Sequence, residues 1–176
     1  MRAICSLGRD PAWLPRLEAW PVRNVELRAR VCRGYAVVAL SGELDTRDAA
    51  DAAAAVAALA AGGQQLVIDL EPLGFIDCHA AAALLRVRET ARQAGGDVLL
   101  AAPHGPVLRL LTLLGVSGVH ASVAAAADSA AKHDARRAAG IVGSGKAVLS
   151  GARSWMTAWR SAVPGPRAGN RSWSPR

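Results

Sequence analysis

Two glycine pairs, Gly62-Gly63 and Gly95-Gly96, do most to limit what this chain can fold into. Each ends an alanine-rich helical pattern. Each is followed by a short apolar run, Gln65 to Leu70 after the first and Asp97 to Ala101 after the second. Glycine closes helices readily because it takes the left-handed conformation without a Cβ penalty. A helix stopped and handed on to a buried strand, twice in succession, predicts alternating strands and helices, and hence a mostly parallel sheet with covering helices.

The flanking segments extend the pattern. Val25 to Cys32 sets Val25, Leu27, Ala29 and Val31 against Glu26, Arg28 and Arg30, the period of a half-exposed strand. Tyr35 to Ser41 is continuously apolar and suits a strand buried on both faces, with Gly34 marking a tight hairpin between the two. Asp45 occupies an N-cap position, with Asp48 and Asp51 near the positive end of the helix dipole. The helix is predicted from Thr46 to about Ala61, with Ala52, Val56 and Leu59 inward. A second helix follows Asp77, its inward stripe Leu84, Leu85, Val87 and Ala91 and its outward residues Arg86, Glu89 and Arg92. Pro106 opens a third helix that ends at Gly115, a short strand lies near Val119, and Ser122 caps a last alanine-rich helix. The predicted fold is α/β, a mostly parallel mixed sheet in the order ββαβαβαβα with helices packed mainly on one face.

A chain of 176 residues with 52% hydrophobic content fits one domain with tails. The net charge of +7 is unevenly distributed. Residues 25–130 carry eight arginines against eleven carboxylates, while residues 131–176 carry nine bases against Asp134. All five tryptophans also lie outside the middle segment. The division is therefore an N-terminal extension over 1–24, expected to be poorly ordered, a domain over 25–130, and a basic tail over 131–176 that extends a helix and then becomes disordered. A mildly acidic domain argues against nucleic-acid binding by the core. No apolar run reaches the length of a membrane span, and the N-terminus lacks an apolar signal region. Cys5, Cys32 and Cys78 are odd in number and widely spaced, so neither disulfides nor a zinc site is indicated. The expected location is the cytoplasm, with no cofactor and no metal.

Gly42-Glu43-Leu44-Asp45 after a buried strand, Val67-Ile68-Asp69-Leu70, Phe75-Ile76-Asp77 opening a helix, Gly95-Gly96, and Arg109-Leu110-Leu111-Thr112-Leu113-Leu114-Gly115 form an ordered set. Together they resemble the STAS domain family, which includes bacterial anti-anti-sigma factors, and the resemblance covers the middle segment. It implies an anti-sigma factor antagonist: a protein-binding module, not an enzyme, that regulates transcription by partner switching. The partner is an anti-sigma factor, usually a serine kinase. Phosphorylation of a Ser or Thr at the start of the second helix turns such binding off, since a phosphate adds about −1.5 to −2 charges at the contact surface. The family's run there is Asp-Ser-Ser-Gly, with the second serine as acceptor.

This chain departs from that run with Asp77-Cys78-His79-Ala80, placing His79 at the acceptor position. No Ser or Thr occurs between Thr46 and Thr90, so no neighbouring hydroxyl replaces it. The partner-binding surface is expected at Asp45, Thr46, Asp77, Cys78 and His79. Asp45 and Asp77 also read as N-caps. Cys78 reads as a small buried residue in place of serine in preference to a redox-sensing thiol at a helix N-terminus. His79 has no second ligand nearby in sequence to make a metal site, with His104 the one histidine that would approach it from the next strand end.

Gly140-Ile141-Val142-Gly143-Ser144-Gly145-Lys146-Ala147 nearly matches a phosphate-binding loop, but Ala147 removes the hydroxyl that would hold magnesium and no buried strand precedes it. It reads as a glycine-rich linker. Beyond it, Leu149, Ala152, Met156 and Trp159 share one side of a short helical pattern with basic residues distributed elsewhere, a composition able to touch anionic lipid or a partner. The basic tails support the alternative function, a STAS-like accessory subunit of a membrane lipid or solute transporter.

Overall fold

The computed structural model describes residues 19–22, 24–33, 35–61 and 63–140. Its elements are β1 (Ala19–Val22), β2 (Val25–Cys32), β3 (Tyr35–Leu44), α1 (Ala49–Leu59), β4 (Gln65–Asp69), β5 (Leu73–Ile76), α2 (Cys78–Gln93), β6 (Asp97–Ala101), α3 (Gly105–Leu113), β7 (Val119–His120) and α4 (Val123–Gly140). The strands form one sheet in the order β1-β2-β3-β4-β6-β7, with β5 paired to the end of β3. The β1–β2 and β2–β3 pairings are antiparallel, and every later pairing is parallel.

The alternation of side chains along the strands sorts the helices onto the two faces. Val38 and Leu40 of β3, Leu66 and Ile68 of β4, and Val98 and Leu100 of β6 join the main core, which α1, α2 and α3 cover. The intervening residues, Val37, Val67, Leu99 and Ala101, point the other way and meet Ala126 and Ala130 of α4, together with Cys32. Strand stretches buried on both faces favour continuous apolar runs, as Ala36 to Leu40 of β3 and Leu66 to Ile68 of β4 show. Helices thus lie mainly on one face, with α4 alone on the other.

Several boundaries differ from the sequence reading. β1 falls within the segment expected to be a poorly ordered extension, because Ala19 to Val22 pairs with Val25 to Arg28 across a tight antiparallel turn. The sheet therefore includes residues before residue 25. α4 runs on to Gly140, held by Arg137, which donates to the Gly63 carbonyl at 3.2 Å and also to the Gly95 carbonyl. The glycine-rich motif starting at Gly140 thus follows a helix. Its other residues and the rest of the tail lie outside the described residues, as does the extension before Ala19.

α3 and α4 start as predicted. Pro106 sits in the first turn of α3, and the Ser122 hydroxyl accepts the Ala125 N–H at 3.1 Å. On α2 the buried residues include Ala80, Ala81, Leu84, Arg88 and Ala91. Leu85 and Val87 are half-buried against the core. Arg88, a charged residue on the inward face, is the departure from the predicted stripe.

Candidate functional site

The site is built where β3 leaves the sheet. Gly42 has φ +98°, and a Cβ there would lie 2.2 Å from the Asn24 carbonyl oxygen, so only glycine lets the β1–β2 turn approach this closely. The next amide, Glu43 N–H, donates to that same carbonyl at 3.1 Å. A register shift between Gly42 and Glu43 then lets β5 pair with the last residues of β3, Glu43 beside Phe75 and Leu44 beside Ile76. Since Leu44 and Ile76 are neighbours, the residues that follow them, Asp45 and Asp77, leave the sheet side by side.

Asp77 ties the two exits together. One carboxylate oxygen accepts the Thr46 N–H at 2.8 Å and the Thr46 hydroxyl at 2.6 Å. The other accepts the Ala80 N–H at 2.7 Å and caps α2 as predicted. Its own amide donates to the Leu44 carbonyl at 3.2 Å. Desolvation raises its pKa, but hydrogen bonds from the Thr46 hydroxyl and from the Ala80, Thr46 and His79 amides outweigh this and lower it overall. Asp77 therefore holds its negative charge at this surface throughout the neutral range.

Asp45 has a different role from the one its position predicts. α1 begins at Ala49, and its N-cap residue is Asp48, which makes no side-chain cap bond. The Asp45 carboxylate instead accepts the Arg47 N–H at 2.8 Å and meets the Arg47 guanidinium at 3.2 Å, closing a local turn, while its carbonyl receives the Ala49 amide. Asp48 is fully buried and accepts the Asn24 N–H at 3.2 Å, so the β1–β2 turn takes the carboxylate that the helix would have used.

Thr46, Cys78 and His79 are all exposed around this latch. The expectation of a buried Cys78 is thereby corrected, because the first residue of α2 stands clear of the sheet while Ala80 and Ala81 turn inward. His104 takes the N-cap position of α3 and is exposed. The five residues expected at the partner surface are thus gathered at two adjoining chain exits, and two of them, Thr46 and Asp77, are in direct contact. Among the described residues no group of three or more His, Cys, Asp or Glu is placed to hold a metal ion, and no helix is long and apolar enough to cross a membrane.

Two features that support the site escaped the sequence reading. β5, which aligns the exits, is only four residues long, holds Gly74 and follows Pro72, so it carries no strand pattern of its own. Arg88 braces the far end of α2 through Asp97 at 3.2 Å and the Ser117 carbonyl at 2.9 Å. Asp97, nine residues on at the head of β6, is the one sequence signal that would have pointed to it.

Comparison with known proteins places this fold in a family. The structure is similar to that of an anti-sigma factor antagonist from Mycobacterium paratuberculosis, with a TM-score of 0.53 at 23% identity over 61% of this chain and 94% of that one. It is also similar to part of the murine Solute Carrier 26 family member A9 anion transporter, with a TM-score of 0.51 at 20% identity over 60% of this chain and 19% of the transporter. At these identities the likeness is one of fold. A search of curated proteins found no match. A family model described as the STAS domain matches residues 26–126, more than half of the sequence, running from β2 to the first turn of α4, and the chain belongs to the STAS domain family.

Proposed function

We propose that this protein is an anti-sigma factor antagonist that binds its partner through the β3–α1 loop and the first turn of α2. The observation that carries this reading is the Thr46–Asp77 latch, with hydrogen bonds of 2.6 and 2.8 Å. It joins the two exits into one rigid polar surface and leaves Cys78 and His79 exposed on it. A rigid, preorganised patch bearing carboxylates suits a partner with a basic face. The chemistry is that of recognition, with no catalytic step. In this reading His79 stands where related domains carry their phosphoacceptor serine, so a serine kinase partner would have no hydroxyl to modify and binding would persist in the presence of ATP.

The test is to mix the purified protein with a kinase-type anti-sigma factor of the same host and with ATP, and to follow the complex by size-exclusion chromatography and peptide mass spectrometry. The expected result is a complex that survives ATP, with no stable phosphoester on residues 77–80. Failure to form any complex with the host's anti-sigma factors, together with recovery of transporter subunits in a pull-down, would overturn the assignment. A phosphoester within 77–80 would overturn the role given to His79.

A further inference from the structure

The two faces of the sheet are covered by different means. On the main face the helices bury large side chains, Val56 and Leu59 from α1, Leu84 from α2, Val107 and Leu111 from α3. On the other face α4 buries only alanines, Ala126, Ala127 and Ala130, with Val123 half-buried beside them. Beyond Ala130 the helix buries nothing, since residues 131–139 are all exposed except the half-buried Asp134. Polar contacts hold this half in place. The Tyr35 hydroxyl donates to Asp134 at 3.1 Å, Gln65 Nε2 and His133 Nδ1 lie 2.8 Å apart, and Arg137 donates to the carbonyls of Gly63 and Gly95. Nearer the start of the helix Arg33 pairs with Asp128, both side chains exposed.

These two kinds of attachment differ in strength. Apolar burial stabilises in proportion to the area removed from water, and an alanine methyl removes far less than a valine or leucine side chain. Solvent-exposed ion pairs and hydrogen bonds each contribute little. Helices in proteins draw most of their stability from packing an apolar face, and α4 has the poorest such face. We infer that α4 is a releasable cover: it leaves the sheet as a unit while α1, α2, α3 and the strands stay folded. Its departure uncovers Cys32, Val37, Val67, Leu99 and Ala101, one connected apolar patch on β2, β3, β4 and β6. With the cover shut, none of these residues is more than 6% exposed. The remaining fold does not rest on α4, because the main core lies on the opposite face and is closed by the other three helices. Elements that move in this way are drawn from the least stable part of a fold. Because the Thr46–Asp77 latch is built without α4, release stands apart from the proposed function.

Two readouts on the full chain test this. Cys32 is buried with the residues beneath α4 and Cys78 is exposed, so alkylation by iodoacetamide, followed by peptide mass spectrometry, compares a covered thiol with an open one in the same molecule. Hydrogen–deuterium exchange follows the helix itself. Amides of residues 127–139 are expected to exchange roughly a hundredfold faster than those of β4 and β6, through an opening that also admits the reagent to Cys32. Combining Tyr35→Phe with Arg137→Ala removes two tethers and should speed both readouts about tenfold, as two ordinary hydrogen bonds would, while β4 and β6 stay protected. Exchange of α4 as slow as that of β4 and β6 would overturn the inference. So would fast α4 exchange beside an unreactive Cys32, which means fraying in place, and so would readouts that the double variant leaves unchanged or a double variant in which β4 and β6 open as well.

Discussion

Gly42→Ala is expected to destabilise the domain by about 3 kcal/mol or more. A left-handed conformation costs an ordinary residue roughly 1 to 2 kcal/mol, and Gly42 sits at φ +98°. The added methyl would also lie 2.2 Å from the Asn24 carbonyl oxygen, a backbone atom that moves only if the β1–β2 turn moves. Moving that turn gives up the Glu43 amide bond to Asn24 and the Asn24 amide bond to the buried Asp48 carboxylate. An unsatisfied buried group of this kind costs a further 1 to 3 kcal/mol or so. Against a typical total of about 5 to 15 kcal/mol the loss is severe, and the thermal midpoint should fall by roughly 10 °C. Gly74→Ala is the control, since its nearest contact would be an ordinary 3.6 Å and its φ is unstrained. A Gly42→Ala protein that melts with the parent, by circular dichroism, would contradict the role given to this glycine.

Arg88→Ala is expected to cost about 3 kcal/mol, whereas Arg92→Ala should cost less than about 1. Both guanidinium groups reach Asp97, at 3.2 and 3.0 Å, so the two variants remove superficially similar ion pairs. Their surroundings decide the outcome. The Arg88 side chain is 7% exposed and the Arg92 side chain 46%. Removing one partner of a buried pair leaves the other charge and its hydrogen-bond acceptors short of solvent, at about 3 to 5 kcal/mol, while exposed pairs contribute little. Arg88 also holds the Ser117 carbonyl at 2.9 Å, which its loss would strand. Urea unfolding of the two variants checks this, and equal losses would show that Asp97 draws nothing special from the buried arginine.

These residues mark where the sequence could be read and where it could not. The alternation of strands and helices was legible because burial imposes periods of 2 and 3.6 on neighbouring residues, and because the glycine pairs punctuate them. Asp77 was legible as a cap because the helix it opens is local. Asp45 read as the cap of the first helix, with Asp48 and Asp51 as charges near its dipole, but the helix starts later, after Asp48, whose carboxylate is claimed by Asn24 from a distant turn. β1 and β5 have too few residues to show a period, and each exists through its pairing with a longer strand. Arg88 interrupts an apolar stripe for the sake of partners on β6 and in the loop before β7. The site residues were named from a resemblance. Their juxtaposition was expected from converging strand ends, and the strand that brings it about, β5, is the part the sequence pattern did not show.

If the surface around the Thr46–Asp77 latch receives an anti-sigma partner, titration calorimetry with His79→Glu will register it. The substitution adds a negative charge at an exposed position in the first turn of α2, where the helix dipole tolerates an acid and the fold should be undisturbed. Arg136→Glu serves as the control, on exposed α4 across the sheet from the site. His79→Glu is expected to lose at least tenfold in affinity, about 1.4 kcal/mol, with parent-like binding by Arg136→Glu. Parent-like binding by His79→Glu would contradict it.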